Sequence, residues 1–339
     1  MKTNKLTTLL LITCAMMQSQ NKELKSTTLN QSTTSILMVR PANFSVNIQT
    51  SETNYFQKEL KDLNPEQIKS KALKEFDDMA ATLKSKGVDV NVINDTQQPV
   101  KPDAVFPNNW VSFHPDGKVI LYPMLTPNRL AEIRTDVIDS LKTKFEISET
   151  IDFSKEHYNK KYLEGTGSII FDHVNKVAYA CLSPRTDKDL FVKVSNYLGY
   201  KPVYFHSFDQ DNKAIYHTNV MMCIGSQFAV VCLSSITDTN EKQQLVNSLT
   251  QSGHQIVDIT FEQLNHFAGN MLELKTKDHK TIVAMSQSAY NSLNPNQKKN
   301  LEQYSELVPL SINTIETIGG GSVRCMIAEV YSQPKKPTN

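Results

Sequence analysis

One hydrophobic pattern recurs along the chain. A stretch with apolar residues at helical spacing ends, and a short β-rich run follows at once. In Leu73–Lys86 the apolar residues Leu73, Phe76, Met79, Ala80 and Leu83 fall on one helical face. Asn64-Pro65 is a start signal and Gly87 a stop. VDVNVI then alternates with the period of a strand. The second copy is Leu130–Lys144 followed by FEISETIDF, and the third is Asp187–Leu198 followed by YKPVYFH. The fourth is Glu241–Gln251 followed by HQIVDIT, and the fifth is Ser288–Tyr304 followed by ELVPLSI. Equivalent strand positions, Val90, Ile147, Val203, Val257 and Val308, are 57, 56, 54 and 51 residues apart. So regular a period means one supersecondary unit repeated, each copy completing its neighbour's core. KVILYPM, SIIFD, VAYACL, FAVVCLSSI, NMLELK, TIVAMS and VRCMIAEVY supply further strands, so each unit reads β-β-α-β. Five such units closing in a ring predict a single α/β domain over residues 35–335, a five-bladed propeller around a central site. A generic α/β sandwich is the alternative.

The amino terminus lies outside that pattern. Lys2 and Lys5 precede a short apolar core, Leu6 to Ile12, which reads as a secretory signal over residues 1–20. Leu11-Ile12-Thr13-Cys14 is similar to a lipobox, so Cys14 is a candidate lipid anchor. Residues 21–34 are polar and read as a disordered tether. The expectation is an exported chain, periplasmic or anchored through Cys14. A cytoplasmic chain with a frayed extension is the alternative.

Composition narrows the partners. The 36 Lys and Arg against 35 Asp and Glu leave a net charge of +1, so no basic field is available for nucleic acid or for an anionic membrane. Five cysteines form no C-x-x-C pair, and their odd number argues against a disulfide framework. Cys181, Cys223 and Cys232 sit in apolar runs and read as small buried hydrophobes.

Cys325 is different. In GGGSVRCMIAEV, residues 319–330, three glycines let the backbone turn tightly before it, and Arg324 stands beside it. A positive neighbour and free backbone N–H groups lower a thiol pKa, and the thiolate is the nucleophile. Such a nucleophile needs an acid–base partner. Among eight histidines, His217 stands out in AIYHTNVMMCIG, a polar trio set in an apolar segment. Glu164 in YLEGTGSIIFD is a carboxylate flanked by glycines at the start of a strand. Asn108, Asn109 and the single tryptophan cluster in DAVFPNNWVSFHPDG, and Arg185 in CLSPRTD opens a helix. The bland readings are a core cysteine, a structural histidine, a solvated carboxylate, a turn before a core tryptophan and an arginine in a surface ion pair. No H-x-H or H-x-x-x-H spacing exists, so no metal is expected, nor any other cofactor.

Taken in order, these motifs resemble the pentein superfamily, which includes arginine deiminases, dimethylarginine hydrolases and amidinotransferases. GGGSVRCM resembles the nucleophile motif, HTNV the catalytic-histidine motif and LEGTGS the strand with the substrate-binding glutamate. SPRTD resembles the segment whose arginine meets the substrate carboxylate. SILMVRPANFSVNIQTSETNYFQ and VFPNNW resemble the bacterial citrulline-utilisation branch. The resemblance implies a five-bladed pentein fold, Cys325, His217 and Glu164 as catalytic residues, Asn109, Asn219 and Arg185 as substrate contacts, no cofactor, and a small amino acid as ligand. Two departures from the deiminase pattern stand out. Asn219 and Asn109 occupy positions where deiminases carry aspartates that grip a guanidinium, although Asn108 or Asp103 are alternatives for the second. An amide both donates and accepts, whereas a carboxylate only accepts. Asparagines therefore favour a neutral ureido substrate such as citrulline. Dimethylarginine hydrolysis, arginine deimination, amidine transfer and a non-catalytic amino-acid-binding protein are the alternatives. The sequence leaves the oligomeric state open.

Overall fold

A computed structural model describes residues 30–336. The expected leader and Cys14 lie outside the described residues. Fifteen strands are assigned among those described, and they pair according to one repeated scheme. β1 (Ser35–Arg40) runs antiparallel to β15 (Ala328–Val330) and parallel to β2 (Asp89–Asn94). β4 (Lys118–Leu121) does the same between β3 (Val111–Phe113) and β5 (Glu149–Asp152). β7 (Val177–Leu182) lies between β6 (Ile170–Asp172) and β8 (Lys201–His206). β10 (Phe228–Val231) lies between β9 (Met222–Ile224) and β11 (Gln255–Asp258). β13 (Thr281–Ser286) lies between β12 (Leu272–Lys275) and β14 (Glu306–Leu310). The antiparallel-then-parallel unit thus recurs five times, each parallel step spanned by helix as such a crossover requires. The expected five separate sheets are four among the described residues. A single parallel bridge, Val330 to Phe113, joins the first two units into one six-stranded sheet.

The crossover helices show why the period was regular and where it failed. α1 (Pro65–Ser85) starts at Asn64, whose side chain and that of Gln67 form a capping box. It buries Ile68, Ala72, Phe76, Met79, Ala80 and Leu83, extending two turns further back than expected. α2 (Thr135–Lys142), α3 (Lys188–Tyr197) and α4 (Thr239–Gln251) each bury an equivalent stripe. The expected helix Leu130–Lys144 is broken, because the chain leaves helical geometry after a short turn at Pro127–Leu130. The expected helix Ser288–Tyr304 is broken at Asn294-Pro295, where proline disfavours helix in the preceding residue. α5 (Pro295–Glu302) begins there under its own capping box. α6 (Asn313–Gly319) then packs against α1.

The segment read as tether up to residue 34 is packed from Gln31 onward. Gln31, Ser32 and Thr33 are buried. Gln31 Nε2 donates to Phe171 O at 2.9 Å, and Thr33 Oγ1 donates to Val330 O at 2.7 Å. Polar side chains bury readily when each finds a partner, which a polarity count does not reveal. Among the described residues no helix is long and apolar enough to cross a membrane.

Candidate active site

Four of the motifs sit on short turns just before the first strand of a unit, and the Arg185 motif lies between β7 and α3. Pro107–Asn109 precedes β3, Gly165–Ser168 precedes β6, Thr218–Met221 precedes β9, and Val323–Met326 precedes β15. Glu164 and His217 occupy the cap positions of their turns. Two strand expectations are thereby corrected. Cys325 lies in a 3-10 turn rather than in the strand VRCMIAEVY, and the glycines after Glu164 form a helical turn. The turns touch in succession: Pro107–Asn109 meets both Gly165–Ser168 and Val323–Met326, and Gly165–Ser168 meets Thr218–Met221. Close approach explains Gly167. A Cβ there would come within 2.3 Å of Asn109 Nδ2 and 2.8 Å of His217 Nδ1. Gly320 adopts φ +59° and ends α6 in the left-handed region, which turns the chain toward Cys325.

Cys325, His217, Asn109 and Arg185 line one narrow cavity, joined by Asp103, Arg129, Asn54, Phe106 and Tyr216. A larger open groove beside Asp258, His266 and Ser288 gathers no such set. The cavity is covered by the loop after β1. Asn54 Nδ2 donates to the carbonyls of Gly319 and Gly320, and Asn47 Nδ2 donates to Asp103 Oδ2 at 2.7 Å.

Glu164 is fully buried and its carboxylate is taken up by protein groups. Oε1 accepts from Leu125 N at 2.9 Å. Oε2 lies 2.8 Å from His217 Nε2, 3.4 Å from Arg129 Nη1 and 3.5 Å from Arg185 Nη1. Burial alone would raise this carboxyl, but Arg185, His217 and Arg129 hold it far below the usual range. Burial pulls His217 the other way, down to about 4, against the bond from Glu164. The imidazole is therefore neutral at pH 7. With its Nε2–H on Glu164 it keeps the lone pair on Nδ1, the atom that accepts a proton.

Cys325 Sγ lies 3.4 Å from Asn219 Nδ2 and 3.3 Å from Asn270 Nδ2. Burial pushes its thiol up. The Ser322 backbone, Asn270 and Asn219 act against that, and Arg324 helps least of these. Arg324 thus acts in the expected direction, but its effect is the smallest of these. Its guanidinium is spent on Glu329 Oε2 at 2.7 Å and Ile327 O at 3.1 Å.

Arg185 is buried in the cavity wall, not in a surface ion pair. It donates to Thr53 Oγ1 and Thr50 O of the covering loop and lies over the Tyr216 ring, 4.9 Å from its centre. Sequence reasoning missed Arg129, Asn270, Tyr216 and Asn54. Arg129 grips Glu132 through Nε and Nη2, at 2.9 and 3.0 Å, and gives Asn109 Oδ1 a bond of 2.9 Å. The break in the expected helix after Leu130 is what turns this pair inward. Two buried polar atoms of the lining are left without a partner, Asn109 Nδ2 and Asp103 Oδ1, and Asn219, which touches the sulfur from outside the lining, leaves its Oδ1 without one. Both side-chain atoms of Asn108 are likewise unpartnered, but Asn108 does not line the cavity. Among the described residues, no group of three or more His, Cys, Asp or Glu could hold a metal ion.

The model of the family described as N,N dimethylarginine dimethylhydrolase, eukaryotic, matches residues 40–332. The chain belongs to this family. It is accordingly a pentein-superfamily hydrolase of non-peptide carbon–nitrogen bonds. No curated protein matches it by sequence. Among solved structures it is similar to ArgZ, an arginine dihydrolase from the ornithine–ammonia cycle in cyanobacteria, with a TM-score of 0.69 and 16% identity over 89% of this chain. The chain spans only 41% of that protein's length, but it covers 98% of the isolated amino-terminal domain solved with substrate, with a TM-score of 0.68 and 16% identity. It is also similar to the dimethylarginine hydrolase of Pseudomonas aeruginosa in complex with citrulline, with a TM-score of 0.60 and 14% identity, covering 87% of this chain and 98% of that one.

Proposed function

We propose that the chain hydrolyses the ureido or guanidino carbon of a small amino acid through Cys325, with citrulline as the favoured substrate. Two unpartnered amide atoms support this reading: Asn109 Nδ2, in the cavity wall with Cys325, and Asn219 Oδ1, on the carboxamide whose Nδ2 lies 3.4 Å from the sulfur. A ureido group presents one carbonyl oxygen and one NH₂, so it satisfies one donor and one acceptor together. A guanidinium presents only N–H groups and would leave the Asn109 donor facing another donor. Arg185 suits the α-carboxylate, because guanidinium pairs with carboxylate bidentately. Asp103 Oδ1 suits the α-ammonium.

In the proposed reaction Cys325 Sγ attacks the ureido carbon as thiolate. The C–N bond to the terminal nitrogen breaks, and ammonia leaves with a proton that His217 took from the thiol. Water, deprotonated by His217, then breaks the C–S bond. The carbamate so released loses carbon dioxide and leaves ornithine. Glu164 holds His217 in the required tautomer throughout. Covalent catalysis of this kind accords with the ArgZ domain, a variant of which was solved covalently bonded to a reaction intermediate.

The specific observation favouring a second reading is Asp103, a carboxylate in the same cavity whose Oδ1 has no partner. If it meets a guanidinium instead of an ammonium, arginine or dimethylarginine is the substrate. Purified full chain assayed against citrulline, arginine and dimethylarginine, with ammonia and ornithine both measured, decides between them. Turnover of arginine or dimethylarginine at the citrulline rate sinks the ureido assignment. The fold reading extends in the same way. The five units are inferred to close into a five-bladed propeller, supported by five identical pairing schemes and by the succession of contacts between the turns.

A further inference from the structure

Four of the five units contribute a residue to the site from the turn that precedes their first strand. Asn109, Glu164 and His217 follow one another at 55 and 53 residues, and after Asn219 on the His217 turn nothing singled out occurs until Cys325. The position that fills the gap is Asn270, 53 residues after His217 and 55 before Cys325. It belongs to the unit that begins with β12, and it is fully buried.

Its carboxamide makes three bonds. Nδ2 donates to Asn219 O at 2.7 Å and lies 3.3 Å from Cys325 Sγ, while Oδ1 accepts from Arg324 N at 2.9 Å. An amide nitrogen carries two hydrogens, and both are thereby used. The Arg324 N–H fixes the carboxamide's rotation, so the donor side faces the sulfur. The turn that presents it is held hard. Phe267 sits at φ +58°, a rare conformation for a bulky residue, with its ring against Phe56. A Cβ on Gly269 would come 2.4 Å from Val220 O, so this turn is jammed against the one carrying Asn219.

We propose that Asn270 is a positioning residue for the nucleophile, holding Cys325 Sγ as thiolate and tying it to Asn219 in one unit. The inference rests on Cys325 being the nucleophile. A thiol sulfur is a weak acceptor and a thiolate a strong one, so a fixed donor favours the ionised form. Burial works against ionisation here, which makes such donors necessary. Asn219 is the second donor, and Asn270 sets where it stands through the bond to its carbonyl.

The experiment measures the thiol directly in the full chain. Carbamidomethylation of Cys325 by iodoacetamide is followed against pH by peptide mass, which separates it from Cys181, Cys223 and Cys232. Steady-state kcat and KM are measured on the same preparations. Asn270→Asp keeps the shape but sets an acceptor against the sulfur. It should raise the alkylation midpoint by about one pH unit or more, which is a tenfold loss of thiolate. The kcat at pH 7 should fall by about 10- to 100-fold with KM little changed, and recover in part at higher pH. Asn270→Ser, smaller and still polar, gives the same sign with a smaller shift and serves if the aspartate variant does not fold. A folded variant with an unmoved midpoint overturns the inference, whatever its stability. Wild-type protein that keeps its turnover after Cys325 is alkylated removes the nucleophile reading instead, so the two failures are told apart.

Discussion

Arg324 and Cys325 are neighbours in sequence but face two different polar clusters. Cys325 looks into the cavity with His217, Asn109 and Arg185. Arg324 looks into a second pocket with Gln31, His173 and Glu329. In that second cluster every group is matched. His173 Nδ1 meets Tyr200 Oη at 2.7 Å, Tyr331 Oη donates to Gln31 O at 2.6 Å, and Arg324 is bound to Glu329. None of these residues has a buried polar side-chain atom without a partner, whereas the lining of the Cys325 cavity holds two, Asn109 Nδ2 and Asp103 Oδ1, and Asn219 next to the sulfur adds a third. Burial and charge are alike in the two places, so neither marks the reactive one. Unused hydrogen-bonding capacity does, because leaving a buried donor or acceptor unpaired costs about 1–3 kcal/mol that a ligand, or a water the ligand displaces, recovers.

The largest effect should separate the two neighbours. Cys325→Ser removes the nucleophile and should cut turnover by about 10³-fold or more while citrulline binding persists. Arg324→Met should leave the folded protein's kcat within about threefold. It should instead destabilise the fold by up to roughly 3–5 kcal/mol, since the largely buried Glu329 loses its cationic partner and keeps only the Tyr331 hydroxyl. Urea unfolding and steady-state kinetics on both variants check this. Full turnover in Cys325→Ser, or a catalytic collapse in a stable Arg324→Met, would erase the contrast.

Next in size is charge selection within the Cys325 cavity. Two mismatched buried contacts of about 1–3 kcal/mol each imply a preference for citrulline over arginine of roughly ten- to ten-thousand-fold in kcat/KM. Asn219→Asp should weaken citrulline turnover, and the Asn109→Asp/Asn219→Asp pair should bring up arginine turnover. The comparison is wild type against the pair on both substrates at one pH. Equal use of both substrates by wild type means that the unpaired amides do not read the ureido group.

What the sequence disclosed followed from patterns that repeat. The five-unit period was visible because each unit buries the same helical stripe and strand, and the turn residues Glu164, His217 and Cys325 stood out against apolar surroundings. Asn270 escaped notice because a neutral amide in FAGNML has no such contrast, although the 53–55 residue step pointed to it. Arg129 escaped because its stretch reads as helix, and only the break after Leu130 turns it inward. Arg324 was given too much weight for a different reason. Adjacent residues on a tight turn point to different sides, so Arg324 acts on the sulfur only weakly while the amides of Asn270 and Asn219 do more.

Acid should destabilise both clusters but silence only one. Burial holds His217 and His114 down to about 4 from 6.5. Between those values the unfolded chain takes up a proton at each that the folded chain refuses. Stability is therefore complete above pH 6.5 and falls as pH drops toward 4, by about 3 kcal/mol for each histidine. His114, bound to Ser112 Oγ and packed edge-on to Phe171, belongs with the second cluster. His114→Gln should flatten the acid loss without touching kcat, whereas His217→Gln should flatten it and abolish turnover. Urea midpoints at pH 7 and 4.5 read the first effect, and an unchanged slope in both variants would contradict the burial argument.

The smallest effect concerns the strand-side segment that closes the second cluster. Gln31 Nε2 donates to Phe171 O at 2.9 Å, and Gln31 Oε1 accepts from His173 N at 2.8 Å. Gln31→Ala removes both bonds and leaves a buried carbonyl and a buried N–H wanting partners. At about 1 kcal/mol for each bond, the loss should be roughly 2 kcal/mol. Water entering the vacated space can bond to both backbone groups, which lowers the cost. The loss should leave kcat/KM for every substrate unchanged, since Gln31 lies in the Arg324 pocket and not in the cavity with Cys325. Thermal unfolding of the Gln31→Ala protein, beside its kinetics, is the measurement. No change in stability would restore the reading of residues 21–34 as tether throughout, and a change in kcat would mean that the two clusters communicate through the Arg324–Cys325 turn.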